Sequence, residues 1–571
     1  MMLRSDGDRA RLVFDASTAG PLRVDLEISV SGVVGDASPR RLRHRRLPLA
    51  TADLSLTEES LRAFLAGAAA SGSAQRDDVL PPISLDARMR PGWVLLLGRV
   101  RGARGEADFS ARALLDVDGE GDLRVLVPEV LLYGWIGAPG AIVPPAIFAS
   151  IVTALRDASA PAENAAAPLQ ALGAAQLRLR PLDALLGVLP AQGFRLPDCR
   201  GVALLEAAFE GGVARVRYGA PAGGKALAAH PELRRALDAA RESDAAITAG
   251  SWDDAARALR EHADSPSSHP ALVARLFDLL AAMPESFDEA EACARRAVDR
   301  RETRIAALLC LGRVAEGRAQ LASASLDEAS ERYRAAAEAA AQGGDPEEEA
   351  RARLACGKAL AAQDPEAAAA VYESALARTD APGPLLDALA DLYDRAGRGA
   401  DLVQALCARI ALGLGADEES RMRLRLARVH TRLGDVPAAL REVERALDVG
   451  SLTGDALAAV ADAAQRSGDA AWATGVLEAQ AREAADAGDH ALEAQAEATL
   501  ADVLARADRP DEARAHLGRA RALRPQDAAL ALRAAALDVA CGRFGPALAC
   551  YQAALPLLGE SERRGALGAM A

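Results

Sequence analysis

Lysine is almost missing from this chain of 571 residues: Lys225 and Lys358 are the only two, and arginine supplies the rest of the permanent positive charge. Together with an excess of alanine, this bias marks the codon usage of a GC-rich bacterial genome rather than a function. Aromatic residues make up only 3% although half the residues are apolar, so the cores must be built from Ala, Leu and Val. The seven cysteines are odd in number and contain no C-x-x-C pair, which argues against a zinc site or a disulfide framework. Six of them lie among Ala and Leu in helical stretches and read as small buried hydrophobes in a reducing compartment. The histidines stand singly, and no H-E-x-x-H, Walker A, G-x-S-x-G or strand-to-helix G-x-G-x-x-G motif occurs. No catalytic residue, metal site or cofactor is therefore expected, and no enzyme activity. The first residues, MMLRSDGDRARLVFD, carry charges where the apolar core of a signal peptide would stand. The longest uncharged stretch, 130–155, is broken by Pro139, Pro144 and Pro145 and by three glycines. A cytoplasmic protein without a transmembrane helix is expected.

The net charge of −14 is unevenly spread. Acidic and basic residues nearly cancel up to residue 225, so the deficit sits in the remainder. That acidic part should repel nucleic acid, whose binding depends on neutralising phosphates. Residues 1–218 read as an α+β domain with an antiparallel sheet. The alternation in 22–34 predicts a half-buried strand. Residues 109–130, with Asp-Gly-Glu-Gly-Asp at the turn, predict a hairpin, and 201–218, turning at Gly211 and Gly212, predict a second. Helices are expected over 56–69 and 145–155. This order of helix, long strands, hairpin, apolar helix and closing strands resembles tubular lipid-binding domains of the bactericidal/permeability-increasing kind. The resemblance implies an apolar ligand groove, with Leu132, Trp135, Ile136, Ile147, Phe148 and Ile151 among its lining. The alternative is an ordinary α+β core that needs the same side chains, and the absence of a signal sequence favours it. The cluster Arg40, Arg41, Arg43, His44, Arg45 and Arg46 reads either as a phosphate or anionic-lipid patch or as a solvated loop or edge strand whose arginines discourage sheet aggregation. With no aromatic residues interleaved for base stacking, the second reading is preferred.

Residues 219–236, rich in Gly, Ala and Pro at their start, form a linker. Beyond it a small residue returns at steps of about 34 to 40 residues: Ala255, Ala290, Ala329, Ala368, Ala439, Ala473, Ala513 and Ala547, with Leu402 in the one gap. The clearest unit is RMRLRLARVHTRLGDVPAALREVERAL, 421–447. There Leu426, Ala427 and His430 share a helix, Gly434 and Asp435 make the turn, and Val436, Ala439, Val443 and Ala446 form a stripe on the next helix. This pattern resembles the tetratricopeptide repeat. About nine such units are expected over 237–557, stacked as an all-α superhelical solenoid, followed at 558–571 by a short cap or a truncated helix that could serve self-association. Trp252, Phe287, Tyr333, Tyr372, Phe544 and Tyr551 fall at packing positions between helices.

The resemblance implies that the first helix of each unit lines a groove that binds partner proteins. One such helix carries Arg421, Arg425, Arg428 and Arg432 on one face, a row suited to carboxylates or phosphates. A partner with an acidic segment or a free C-terminus would fit it. An internal ladder to Asp387, Asp391 and Asp394 of the preceding first helix, and to Asp455 and Asp462 of the following one, would explain the same row. The functional expectation is a protein-interaction scaffold of unknown partner, without nucleic-acid binding. The second expectation is a lipid- or envelope-associated protein whose N-terminal domain holds an apolar ligand, the only place where lipid contact is foreseen.

Overall fold

The computed structural model describes the chain apart from residues 1, 7–8, 20–21, 34–41, 72–81, 91–92, 103–104, 118–122, 128–129, 134–168, 174–175, 180–188, 190–192, 211, 222–230, 264–269, 450–453, 469, 560–561, 565 and 568–571. The N-terminal region is built from thirteen described strands in two antiparallel sheets. In the first sheet, β1 (Met2–Asp6), β2 (Arg9–Ala19), β3 (Leu22–Ser31) and β4 (Leu49–Thr57) lie in sequence order. In the second, β5 (Pro82–Arg90), β6 (Trp93–Gly102), β7 (Gly105–Val117) and β8 (Leu123–Leu126) do the same, with β9 (Val130–Tyr133) also on β7. Beyond β8 come β11 (Gln176–Leu179) and β10 (Leu169–Gly173), while β12 (Ala203–Glu210) and β13 (Val213–Gly219) complete the first sheet beside β4. Strand β3 shows why: Leu26, Ile28 and Val30 are buried while the residues between them face outward. Both predicted hairpins form, with Val117 opposite Leu123 and Glu210 opposite Val213.

Helix α1 (Glu58–Ser71) begins where Thr57 Oγ1 accepts the Ser60 N–H at 3.2 Å. It packs on β3 and β4 of one sheet and β5 of the other, and Arg62 grips Asp86 of β5 with two nitrogens at 2.6 and 3.2 Å. The expected helix over 145–155 lies outside the described residues. So do Trp135, Ile136, Ile147, Phe148 and Ile151, and the side chain of Leu132. A described cavity against the first sheet has about 20 Å³, room for about one water molecule.

From residue 231 the described chain is helical hairpins. They pair α2 (Pro231–Thr248) with α3 (Trp252–Ala263), α4 (Pro270–Leu280) with α5 (Phe287–Ala297), and α6 (Arg304–Ala322) with α7 (Asp327–Gly343). Next come α8 (Pro346–Leu360) with α9 (Pro365–Leu376), α10 (Gly383–Arg395) with α11 (Gly399–Ile410), and α12 (Ala416–Leu433) with α13 (Val436–Val449). The last are α14 (Gly454–Ser467) with α15 (Ala470–Asp486), α16 (His490–Arg506) with α17 (Pro510–Leu523), and α18 (Ala528–Ala540) with α19 (Phe544–Ala554). The recurring small residues all sit in the first turn of the second helix, and none, Leu402 included, is more than 2% exposed. There the helix axes approach closely, and a larger side chain would cost roughly 1–3 kcal/mol by overpacking.

First helices use glycine for the same purpose: a Cβ on Gly312 would stand 2.5 Å from the ring of Tyr333. Tyr333 is buried, and its hydroxyl donates to Glu316 at 2.6 Å. Tyr372 and Phe287 are core residues as well. Phe544, expected between helices, is 71% exposed, whereas Phe287, at the same first position of α5, is buried with its ring against Gly317 of α6. Cys310, Cys356 and Cys550 are buried, and burial pushes the Cys310 thiol up to about 12; Cys407 is exposed, against expectation. Gly434 ends α12 at φ +80°, and Asp435 Oδ1 then accepts the Ala438 N–H at 3.2 Å, opening α13. None of the described helices is long and apolar enough to cross a membrane.

The chain divides into two compact units, Met1–Leu385 and Leu386–Ala571. Within the first, the second sheet reaches the helices through arginines. Arg112 meets Asp345 at 2.7 Å and Glu348 at 3.0 Å at the start of α8, and Arg90 pairs with Asp380.

Candidate functional site

Helix α12 starts with Asp417, Glu418 and Glu419 and ends with His430 and Arg432, charges that suit the helix dipole at both ends. Leu424, Leu426, Ala427 and Val429 are buried on its inner side. The four arginines therefore face outward together, into a groove of about 650 Å³ within the second unit. Its walls come from first helices only: Asp394 of α10, Asp462 and Arg466 of α14, and α12 between them. Among the described residues five arginines line it against three carboxylates, with Met422 and Leu424 as its apolar part.

The arginines are not equivalent. Arg425 Nη2 lies 2.9 Å from Asp391 and 3.3 Å from Asp394, and it donates to the Ala390 carbonyl at 3.2 Å. Arg432 reaches Asp394 at 2.7 Å and Arg421 pairs with Glu418 one turn back. Arg428 is engaged too. Hydrogen bonding from Arg432, reinforced by the charges of Arg432 and Arg425, holds the Asp394 carboxyl below its usual range despite some desolvation. Of the other aspartates, Asp387 accepts instead from Arg409 of α11 at 2.8 Å, and Asp462 stands 3.9 Å from Arg466 in its own helix. The side chain of Asp455 lies outside the described residues.

The Arg425 contact has counterparts along the array. Arg533 of α18 donates to the Ala498 carbonyl at 3.2 Å and pairs with Asp502 of α16. Arg275 of α4 pairs with Asp244 of α2. In all three cases the arginine and its aspartate are 31 residues apart, on successive first helices. Arg425 is thus a rung that joins neighbouring units, a role that the 31-residue offset encodes and that a reading of α12 alone overlooks. Arg421, Arg428 and Arg432 are exposed, Arg421 at 49% and Arg432 at 53%, whereas Arg425 is half-buried. Arg466 joins them from α14 and was missed for the same reason: its face becomes apparent only when the next first helix is set in register. The groove holds no nucleophile paired with a base. Among the described residues no group of three His, Cys, Asp or Glu side chains could hold a metal ion.

No protein-family model matches the sequence, and no curated protein matches it. Among solved structures, a tetratricopeptide repeat protein from Parabacteroides merdae ATCC 43184 is similar at 14% identity and a TM-score of 0.26, covering 50% of this chain and 98% of that one. The apo form of the quorum sensor NprR from B. thuringiensis is similar at 13% identity and a TM-score of 0.29, covering 51% and 87%. The Cut9–Hcn1 hetero-tetramer of APC/C is similar at 12% identity and a TM-score of 0.23, covering 59% and 84%.

Proposed function

We propose that this chain is a non-enzymatic protein-interaction scaffold, and that the groove of α10, α12 and α14 docks an acidic segment or a free C-terminus of a partner protein. The observation that carries the reading is the lining: among the described residues, five arginines against three carboxylates, in a chain whose net charge is −14. Guanidinium forks bind carboxylates with two parallel hydrogen bonds, and four of these arginines, Arg421, Arg428, Arg432 and Arg466, are exposed to solvent. Arg425 is assigned to the scaffold; Arg421, Arg432 and Arg466 are assigned to the partner, with Arg428 between them on the same face.

The test uses the full chain and a fluorescein-labelled peptide of alternating Glu and Ala, read by anisotropy. The variant Arg421→Glu/Arg432→Glu should weaken binding about tenfold or more, and added salt should weaken the wild-type complex. Equal affinity for wild type and variant would leave the row as an internal ladder only. That second reading is favoured by the Arg425 and Arg432 contacts with α10, and it expects the variant to lose stability instead.

A further inference from the structure

A second arginine cluster, expected from sequence to be a solvated loop or edge strand, lies between β3 and β4. Arg43, His44, Arg45 and Arg46 are exposed, and so are Arg195 and Leu196. The two segments are tied together by backbone hydrogen bonds: the Arg195 N–H donates to the Arg43 carbonyl at 3.0 Å, the Asp198 N–H to Leu47 at 2.9 Å, and the Leu49 N–H to Asp198 at 2.8 Å. Phe194 anchors the second segment. It is buried, meets Phe14 edge-on at 5.9 Å, and carries the Arg43 guanidinium 5.4 Å above its ring. A turn held this firmly presents its charges in a fixed arrangement.

Among the described residues Arg43, Arg45, Arg46 and Arg195 take part in no ion pair, although the chain as a whole carries an excess of carboxylates. The neighbouring carboxylate, Asp198, is taken by Arg200 at 3.5 Å. Between Arg45 and Arg195 lies the small apolar cavity of about 20 Å³, walled by Leu42, Leu47, Leu189 and Phe194. Leu196, 43% exposed, follows directly in the chain. Arginines and an apolar dimple thus occur at one rigid place.

We propose that this turn is a docking surface for an acidic protein segment in which carboxylates flank one short aliphatic side chain. Arg45 and Arg195 grip the carboxylates, and the dimple takes the tip of the aliphatic group. Its volume is far too small for an acyl chain. The described exposed residues of this turn include no aromatic side chain on which a nucleic-acid base could stack. An acidic polypeptide segment can bring carboxylates to the arginines and an aliphatic side chain to the dimple between them. The site is independent of the α12 groove and involves none of its residues.

The experiment therefore starts from the full-length groove variant Arg421→Glu/Arg432→Glu, so that failure of one site is not mistaken for failure of the other. The labelled peptide is acetyl-EDLDE-amide, its control acetyl-EDSDE-amide, and the readout is anisotropy. The leucine peptide should bind, the serine peptide should bind several-fold more weakly, and adding Arg45→Gln/Arg195→Gln should reduce the affinity for the leucine peptide about tenfold. A matching circular dichroism spectrum and melting temperature show that the added changes leave the fold intact. Should the changes disturb the fold, Arg46→Gln, whose side chain lies outside the dimple, replaces them and is expected to cost several-fold. Equal affinity with and without the turn arginines overturns the proposal. So does preferential, turn-dependent binding of phosphatidylserine vesicles or of a short DNA duplex.

Discussion

The arginines of the helical array and those of the N-terminal turn are chemically identical and meet opposite fates. In the array, an aspartate 31 residues earlier meets Arg275, Arg425 and Arg533 across the seam between units. In the turn, four arginines stand on a rigid backbone ladder with no carboxylate partner among the described residues. At three seams the repeat brings an aspartate to the arginine 31 residues later, so these ion pairs are part of its construction. The sheets pair some of their arginines as well, Arg62 with Asp86 and Arg217 with Asp53, but the turn arginines meet no carboxylate among the described residues.

The comparison is tested most severely at Arg275. Its side chain is fully buried, and although it pairs with Asp244, its Nε and Nη1 and the Asp244 Oδ2 have no partner. Arg275→Ala should cost about 3–5 kcal/mol in urea unfolding, because a buried carboxylate is left alone. Burial already raises the Asp244 carboxyl even with Arg275 beside it. A folded-state value above the unfolded one means that stability is gained as pH falls through it, so the loss in Arg275→Ala should shrink toward acid pH. The double change Asp244→Leu/Arg275→Met should recover most of the stability. A loss below ~1 kcal/mol for Arg275→Ala alone would remove the structural meaning of the 31-residue offset.

At the half-exposed rung, Asp394→Asn should cost only about 0.5 kcal/mol, since solvent screens the pair. Its signature is the pH profile. The depressed carboxyl stabilises the fold above about pH 4 and loses that contribution as pH falls through the folded-state value, so the variant should show a shallower acid-side decline. At the smallest end, Arg45→Ala and Arg195→Ala should each alter stability by less than about 0.5 kcal/mol in the same unfolding measurement. A larger loss there would mean that the turn arginines are structural after all, and the contrast between the two regions would disappear.

Much of this was legible in the sequence. The alanine beat located the close helix seams, Gly434 and Asp435 marked a helix end and the next helix start, and the Gly and Asp turns announced both hairpins. Each of these signals is local, because it depends on a side chain's size or on a backbone conformation within one turn. Phe544 shows the limit: it opens α19 as Phe287 opens α5, yet Phe287 is buried against Gly317 of the next first helix and Phe544 stands in solvent.

By itself, then, the sequence determined two hairpins of the N-terminal sheets, the spacing of the helical hairpins, and the face on which Arg421, Arg425, Arg428 and Arg432 stand. The tertiary structure alone decided which of those arginines meets which carboxylate. It committed Arg425 to α10, brought Arg466 into the groove, and left Arg45 and Arg195 without ion-pair partners among the described residues, beside an apolar dimple. The reason is range. Helix propensity and turn geometry act over a few residues, whereas a charge is satisfied or left open by whatever the fold places within about 4 Å of it, and those atoms come from distant parts of the chain.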